Sequence, residues 1–307
     1  MSGEEWRQER ATLAATLAPP LFWLVLFFLV PLAVVWGYSF GRNAGIAEIE
    51  ISGTFANYAR TFEPLYLGIF AKSIAMAGAT TLICLVAGFP VALAITFASP
   101  RAKTWLLLGV MLPFWTNLLI RTYALIAVLR DQGYINLTLG WIWQQVGLVL
   151  NVPPFVPLEL LHNNPAVLLG LVYVHLPFMV LPLYAALDRL DRSLIEASLD
   201  LGAGHLRTLF RVVVPLALPG ILSGVLITFI PALGAYLTPD LLGGPDSQMI
   251  ANVIERQFKR ANDWPFGAAL SFILLYLTLI MVVAQAMIQR PRQGADHLPL
   301  APPAGGD

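Results

Sequence analysis

Six stretches of this chain carry no charge. Residues 11–41, 73–100, 104–120, 160–187, 212–239 and 264–289 contain no Asp, Glu, Lys or Arg. A helix needs about 20 apolar residues to cross the hydrocarbon core of a bilayer. A charge at its centre costs about 3 kcal/mol on insertion scales. Five stretches are long enough, and the third gains length by running past Arg121 to Leu129. The pattern predicts spans at Leu17–Phe40, Ser73–Ala98, Thr104–Leu129, Pro165–Leu187, Val213–Leu237 and Trp264–Gln289. With 58% hydrophobic and 12% charged residues, the expected fold class is an all-α polytopic membrane protein. Its parts are an N-terminal segment 1–16, a six-helix domain 17–289 and a tail 290–307.

A seventh charge-free stretch, 132–158, is no span. It holds Asn136, Gln144, Gln145, Asn151 and three prolines, while Trp141 and Trp143 suit a helix lying at the membrane surface. The N-terminal apolar run is too long for a cleavable signal, and Glu4, Glu5 and Glu9 accompany its arginines. The single cysteine, Cys84, makes neither an intrachain disulfide nor a metal site and reads as a small core residue. Zero net charge implies no nucleic-acid partner.

Lys and Arg set the orientation. With the N-terminus in the cytoplasm, the inner segments hold Arg7, Arg10, Arg101, Lys103, Arg189, Arg192, Arg207, Arg211, Arg290 and Arg292. Arg256, Lys259 and Arg260 oppose this bias, whereas the long 132–164 loop apart from them holds no Lys or Arg. Both termini and the 188–212 connector then face the cytoplasm, where ATP is.

That connector is the one charged hairpin between two long apolar spans. Ser193 and Glu196 fit a capping box at a helix start. Leu194, Ala197, Ser198 and Leu201 fall on one face, and Gly202 suits a left-handed stop. A second helix over His205–Val212 places Leu206, Leu209 and Phe210 on one face and Arg207 and Arg211 on another. Pro215 is expected to open the next span. Small residues at 197 and 198 allow close approach by another surface; a connector packing on its own protein is the alternative.

Glu196-Ala197-Ser198, Gly202 and Val212-Val213-Val214-Pro215 stand in a spacing that resembles the EAA loop of ATP-binding-cassette importer permeases. Ser198 replaces the second Ala and Val214 replaces Leu of that pattern. Three further segments are similar to the spermidine/putrescine-type (PotB-like) branch: 112–123, 169–184 and 230–245; Asn262–Ala269 fits as well. The resemblance implies a type I importer permease fold in a bacterial inner membrane. It implies a second permease chain, a pair of ATP-binding-cassette ATPase subunits carrying ATP and Mg, and a periplasmic solute-binding protein. It assigns ATPase coupling to Glu196, Ala197, Ser198, Gly202, Arg207 and Pro215. Many polyamine-carrying members have an acidic residue where this chain has Ala235. An importer of the same type for another small organic solute, amino acid-like or opine-like, therefore stays open beside the polyamine reading.

The solute pathway is expected along Trp115, Asn117, Arg121, Tyr123, Tyr236 and Asp240. Pro113 should kink the third span, and Pro231 with Gly234 should break the fifth, exposing backbone where it lines a cavity. Arg121 is expected to snorkel to the outer interface, or to pair with Asp131 or another subunit. Asn117 and Thr116 suit interhelical hydrogen bonds, and His175 suits packing or hydrogen bonding. The chain has no GxxxxGK[ST], so any ATP binds a partner. A stand-alone secondary transporter would carry carboxylates inside its spans, and none is found there. An intramembrane enzyme would need a nucleophile with its base or a metal set, and the four histidines have no such spacing.

Overall fold

The structure is a computed structural model that describes residues 3–45, 48–150 and 153–288. The expected tail 290–307, Gln289 and Asn151 lie outside the described residues. The chain opens with α1 (Gly3–Leu24), a π-helical stretch (Val25–Leu29) and α2 (Val30–Tyr38). A two-stranded antiparallel hairpin, β1 (Arg42–Gly45) and β2 (Glu48–Glu50), pairs Arg42 with Glu50 and qualifies the all-α expectation. Then follow α3 (Ala56–Thr61), α4 (Pro64–Phe97), α5 (Pro100–Met111), a 3-10 turn (Leu112–Trp115), α6 (Leu118–Leu129), α7 (Tyr134–Leu150) and α8 (Asn164–Leu187). Next are α9 (Arg192–Asp200), α10 (His205–Thr208), a π-helical stretch (Leu209–Val213) and α11 (Val214–Leu216). The chain continues through α12 (Leu218–Leu233), α13 (Leu237–Leu242), a 3-10 turn (Pro245–Ser247), α14 (Ile250–Lys259) and α15 (Trp264–Ile288).

Four helical stretches are long and apolar enough to cross a bilayer unbroken: Thr12–Tyr38, Pro64–Phe97, Asn164–Leu187 and Trp264–Ile288. Two bent pairs pass the same test together and, counted as one broken span each, bring the candidate crossings to six: Pro100–Trp115 with Leu118–Val146 at 93°, and His205–Leu216 with Leu218–Leu233 at 69°. The third span thus bends close to the expected kink at Pro113, whereas the fifth bends at Ala217 and runs on through Pro231, which lies inside α12, to end at Gly234. The third breaks where Pro113 lacks an N–H and Asn117 starts a new helix, its Oδ1 accepting from Leu119 N–H at 2.8 Å. Asn117 is therefore a cap and not an interhelical bridge. The second span starts earlier than Ser73, at Pro64.

The core is α8 held between α4 and α12. Cys84, Ala92, Ile95, Met179, Val180, Leu183 and Val213 form one buried cluster. Small residues set the helix spacing, as expected where lipid removes the hydrophobic drive between helices. A Cβ on Gly88 would stand 3.2 Å from Val180 Cγ2, and one on Gly224 would stand 2.8 Å from Met179 Sδ. Hydroxyls inside α4 bond back to their own helix: Ser73 to Ile69 O, Thr80 to Met76 O, Thr81 to Ala77 O and Thr96 to Ala92 O. None of these four hydroxyls is thus left bare in an apolar surrounding. The stretch 12–38 buries almost nothing within this chain, so its apolar face awaits lipid or another chain.

Candidate functional site

The charged hairpin is built tightly from local rules. Asp191, rather than Ser193, is the N-cap of α9; its Oδ1 accepts from Ser193 N–H at 2.9 Å, and Glu196 is left exposed. The expected capping box is absent because the N-cap lies two residues earlier, where the Asp191 carboxylate reaches the N–H of the second helical residue, Ser193. At the other end, Gly202 N–H donates to Leu199 O at 2.9 Å and Ala203 N–H to Ser198 O at 3.1 Å. These two bonds define a Schellman stop, which needs a left-handed residue, and Gly202 has φ +83°. Ser198 then bonds across the hairpin: its hydroxyl lies 3.0 Å from that of Thr208.

The second helix is α-helical only to Thr208 and widens into a π turn before Val214. Pro215 lies in the short turn α11, and the fifth span proper begins after the bend at Ala217. Between the two arms runs a groove of about 570 Å³. Leu194, Ala197, Ser198, Leu201, Arg207, Arg211 and Pro215 line it. Four of the six expected coupling residues thus share one surface, with exposed Gly202 at its tip and Glu196 on the exposed side of α9.

Sequence reasoning missed the anchors at the hairpin's root. Lys103 Nζ lies 2.6 Å from Asp188 Oδ1, tying α5 to the end of α8. This bond holds the Asp188 carboxyl below the usual carboxylate range. Arg192 Nη2 donates to Thr96 O at 3.4 Å, and its guanidinium sits 5.6 Å from the Phe97 ring centre. These contacts tie the start of α9 to the end of α4, and the end of α8 to α5. Only the charges were visible in sequence; their partners lie about 90 residues away.

The expected pathway residues divide into two places. Trp115, Asn117 and Tyr123 are exposed around the α5–α6 break. Arg121 neither snorkels nor pairs with Asp131: it is 8% exposed, and its Nε and Nη1 have no hydrogen-bond partner among the described residues. The turn of α6 directs it inward, toward α8, within electrostatic reach of His175. His175 bonds Leu171 O of its own helix at 2.8 Å and lies 6.0 Å from the Phe178 ring, a packing role as expected.

The second place is the break after α12. The helix stops at Gly234, and exposed Tyr236 leads into α13, which carries exposed Asp240. Buried Asn252 locks this loop. Its Nδ2 donates to Tyr236 O at 2.8 Å while its Oδ1 accepts from Met249 N–H at 3.0 Å. Ser73 Oγ accepts from Ile250 N–H at 2.8 Å and fixes the same corner to α4. A cavity of about 630 Å³ opens beside the break, bounded by Gly234, Tyr236, α14 and α15. Asp240 does not line it, and neither does Ala235, which packs against the cluster of Leu129, Ala166 and Met249.

Four to six candidate crossings, a charged hairpin between two of them and broken helices beside it define a multi-pass membrane transport subunit of the importer-permease class. Residues 11–293 match the family described as binding-protein-dependent transport system inner membrane component, and the chain belongs to it. It is 40% identical over 261 residues to the spermidine/putrescine transport system permease protein PotB of Escherichia coli, covering 85% of this chain and 92% of that one. The Haemophilus influenzae protein of the same name is 39% identical over 267 residues, covering 87% and 90%. The E. coli inner membrane ABC transporter permease protein YdcU is 31% identical over 285 residues, covering 90% of each chain. Among solved structures, a bacterial ABC transporter involved in import of the acidic polysaccharide alginate shares the fold. Its TM-score is 0.74 at 18% identity, covering 94% of this chain and 100% of that one.

Proposed function

We propose that this chain is one membrane-spanning subunit of an ATP-driven importer for polyamines of the spermidine and putrescine kind. The carrying observation is the 40% identity to PotB along 92% of that protein's length. The hairpin faces the cytoplasm with both termini and receives a partner ATPase, which binds ATP and Mg. A second permease chain completes the pathway, and a periplasmic binding protein delivers the solute.

Closure of the ATPase pair on ATP moves the groove of Ala197, Ser198, Arg207 and Pro215. Arg192 and the Lys103–Asp188 pair carry that movement into α4 and α5. The break between Trp115 and Leu118 and the bend at Ala217 let the third and fifth spans move without distorting a continuous helix. Asn117 and the Gly234–Asp240 segment then switch the pathway from inward to outward access. Hydrolysis reverses the change and releases the solute inside.

The test is the ATPase rate of the whole assembly in lipid vesicles with its binding protein, across polyamines, amino acids and opine-like solutes. Stimulation and uptake with spermidine or putrescine support the reading. Stimulation by another solute alone retains the importer and overturns the polyamine assignment; solute uptake by this chain without partners overturns both.

A further inference from the structure

Resting on that reading, we propose that the cavity beside the fifth-span break is a subsite for one ammonium end of the polyamine, with Glu255 as its counter-charge. Four observations converge there. The cavity holds about 630 Å³, the size of a small-ligand site. Gly234 at its edge is the C-terminus of the 16-residue α12, where the helix dipole leaves partial negative charge. Broken spans coordinate cations at such ends. Glu255 of α14 supplies a full carboxylate on the same wall. Tyr236 and Phe258 also line it, and aromatic rings attract ammonium groups. The remaining wall is largely aliphatic, suited to the methylene chain between two charged ends.

The packing explains why Ala235 does not disqualify a dication. Its side chain points into the α6–α8 cluster, so an acid at that position in this chain would not face the cavity. The carboxylate is instead donated from α14, which Asn252 holds against the Tyr236 carbonyl.

Lys259 occupies the site's charge at rest. Its Nζ lies 3.1 Å from Glu255 Oε1, one helical turn away, and its side chain is 67% exposed. Such an exposed pair is weakly held. A substrate ammonium entering the cavity replaces Lys259 on Glu255, and Lys259 swings into solvent. Carboxylate and lysine therefore act on the substrate with opposite sign.

The assay is uptake of radiolabelled putrescine and spermidine by the reconstituted assembly with saturating binding protein, alongside direct binding of the same label to the assembly without it. Glu255→Gln should lower uptake and retained label about tenfold, with Glu255→Asp partly restoring both. Lys259→Gln should leave them equal or higher. Phe258→Leu, which keeps the apolar wall, should lower binding severalfold. Equal losses in Glu255→Gln and Lys259→Gln would make the pair structural and overturn the proposal, as would unchanged binding in Glu255→Gln. A wild-type assembly that moves no polyamine overturns the importer's substrate assignment itself, and the subsite falls with it.

Discussion

The hairpin stop offers a quantitative test of how tightly backbone geometry controls coupling. Gly202 has φ +83°, and a Cβ placed there meets no atom within 4 Å. Gly202→Ala therefore introduces no clash inside the chain, only the strain of an L-residue in a left-handed conformation. That strain is about 1–2 kcal/mol. It acts on a loop closed by two Schellman bonds and the Ser198–Thr208 hydroxyl contact, so relaxed alternatives to the native hairpin gain by the same amount. The fraction of hairpins in the native shape relative to those alternatives falls about 5- to 30-fold. Asn tolerates this conformation, so Gly202→Asn should stay within about twofold of wild type although its side chain is larger. The assay is solute-stimulated ATPase rate in reconstituted assemblies at matched membrane abundance. Loss in Gly202→Asn as deep as in Gly202→Ala refutes the reasoning, because bulk at a docked surface and not φ would then be the cause. Full activity in Gly202→Ala refutes it from the other side.

Two further outcomes follow from single contacts. Asn252→Ala strips the Met249 N–H of its partner, about 1–3 kcal/mol for a buried group left unpaired, and takes one of two donors from the Tyr236 carbonyl, which keeps Asp240 N–H. Hydrogen exchange across 234–240 should accelerate, while exchange in α8 stays unchanged. The Lys103–Asp188 contact should leave a pH signature. The folded Asp188 carboxyl lies below its unfolded value of about 4, so its contribution is full above that pH and is lost as pH falls through the folded value. Thermal midpoints between pH 3 and 5 (about one unit either side of the unfolded carboxylate value) should fall less steeply in Asp188→Asn than in wild type. Parallel slopes would show that the carboxylate carries none of the acid sensitivity.

Much of this protein was legible without a fold. The absence of charge marked six candidate crossings, four of them unbroken helices in the fold, because a bilayer penalises every buried charge regardless of tertiary contacts. The Glu196–Pro215 spacing located the hairpin, and Gly202 declared its left-handed turn, since both are properties of a few neighbouring residues. The third-span break was visible as Pro113 and the end of α12 as Gly234, but the bend at Ala217 was not, and the bend angles depend on what each half-helix packs against. What only the tertiary structure decided was which side chains meet. Arg121 is drawn inside because α6 turns that face toward α8. Asp188 finds Lys103, and Arg192 finds Thr96, across gaps of about 90 residues. In sequence Glu255 was one acid among basic neighbours, and Asp240 was the obvious carboxylate. Folding reverses their standing: α13 carries Asp240 away from the cavity and α14 sets Glu255 on its wall. Local chemistry is written residue by residue, but a cavity is a relation among helices distant in the chain, and helix packing alone sets it.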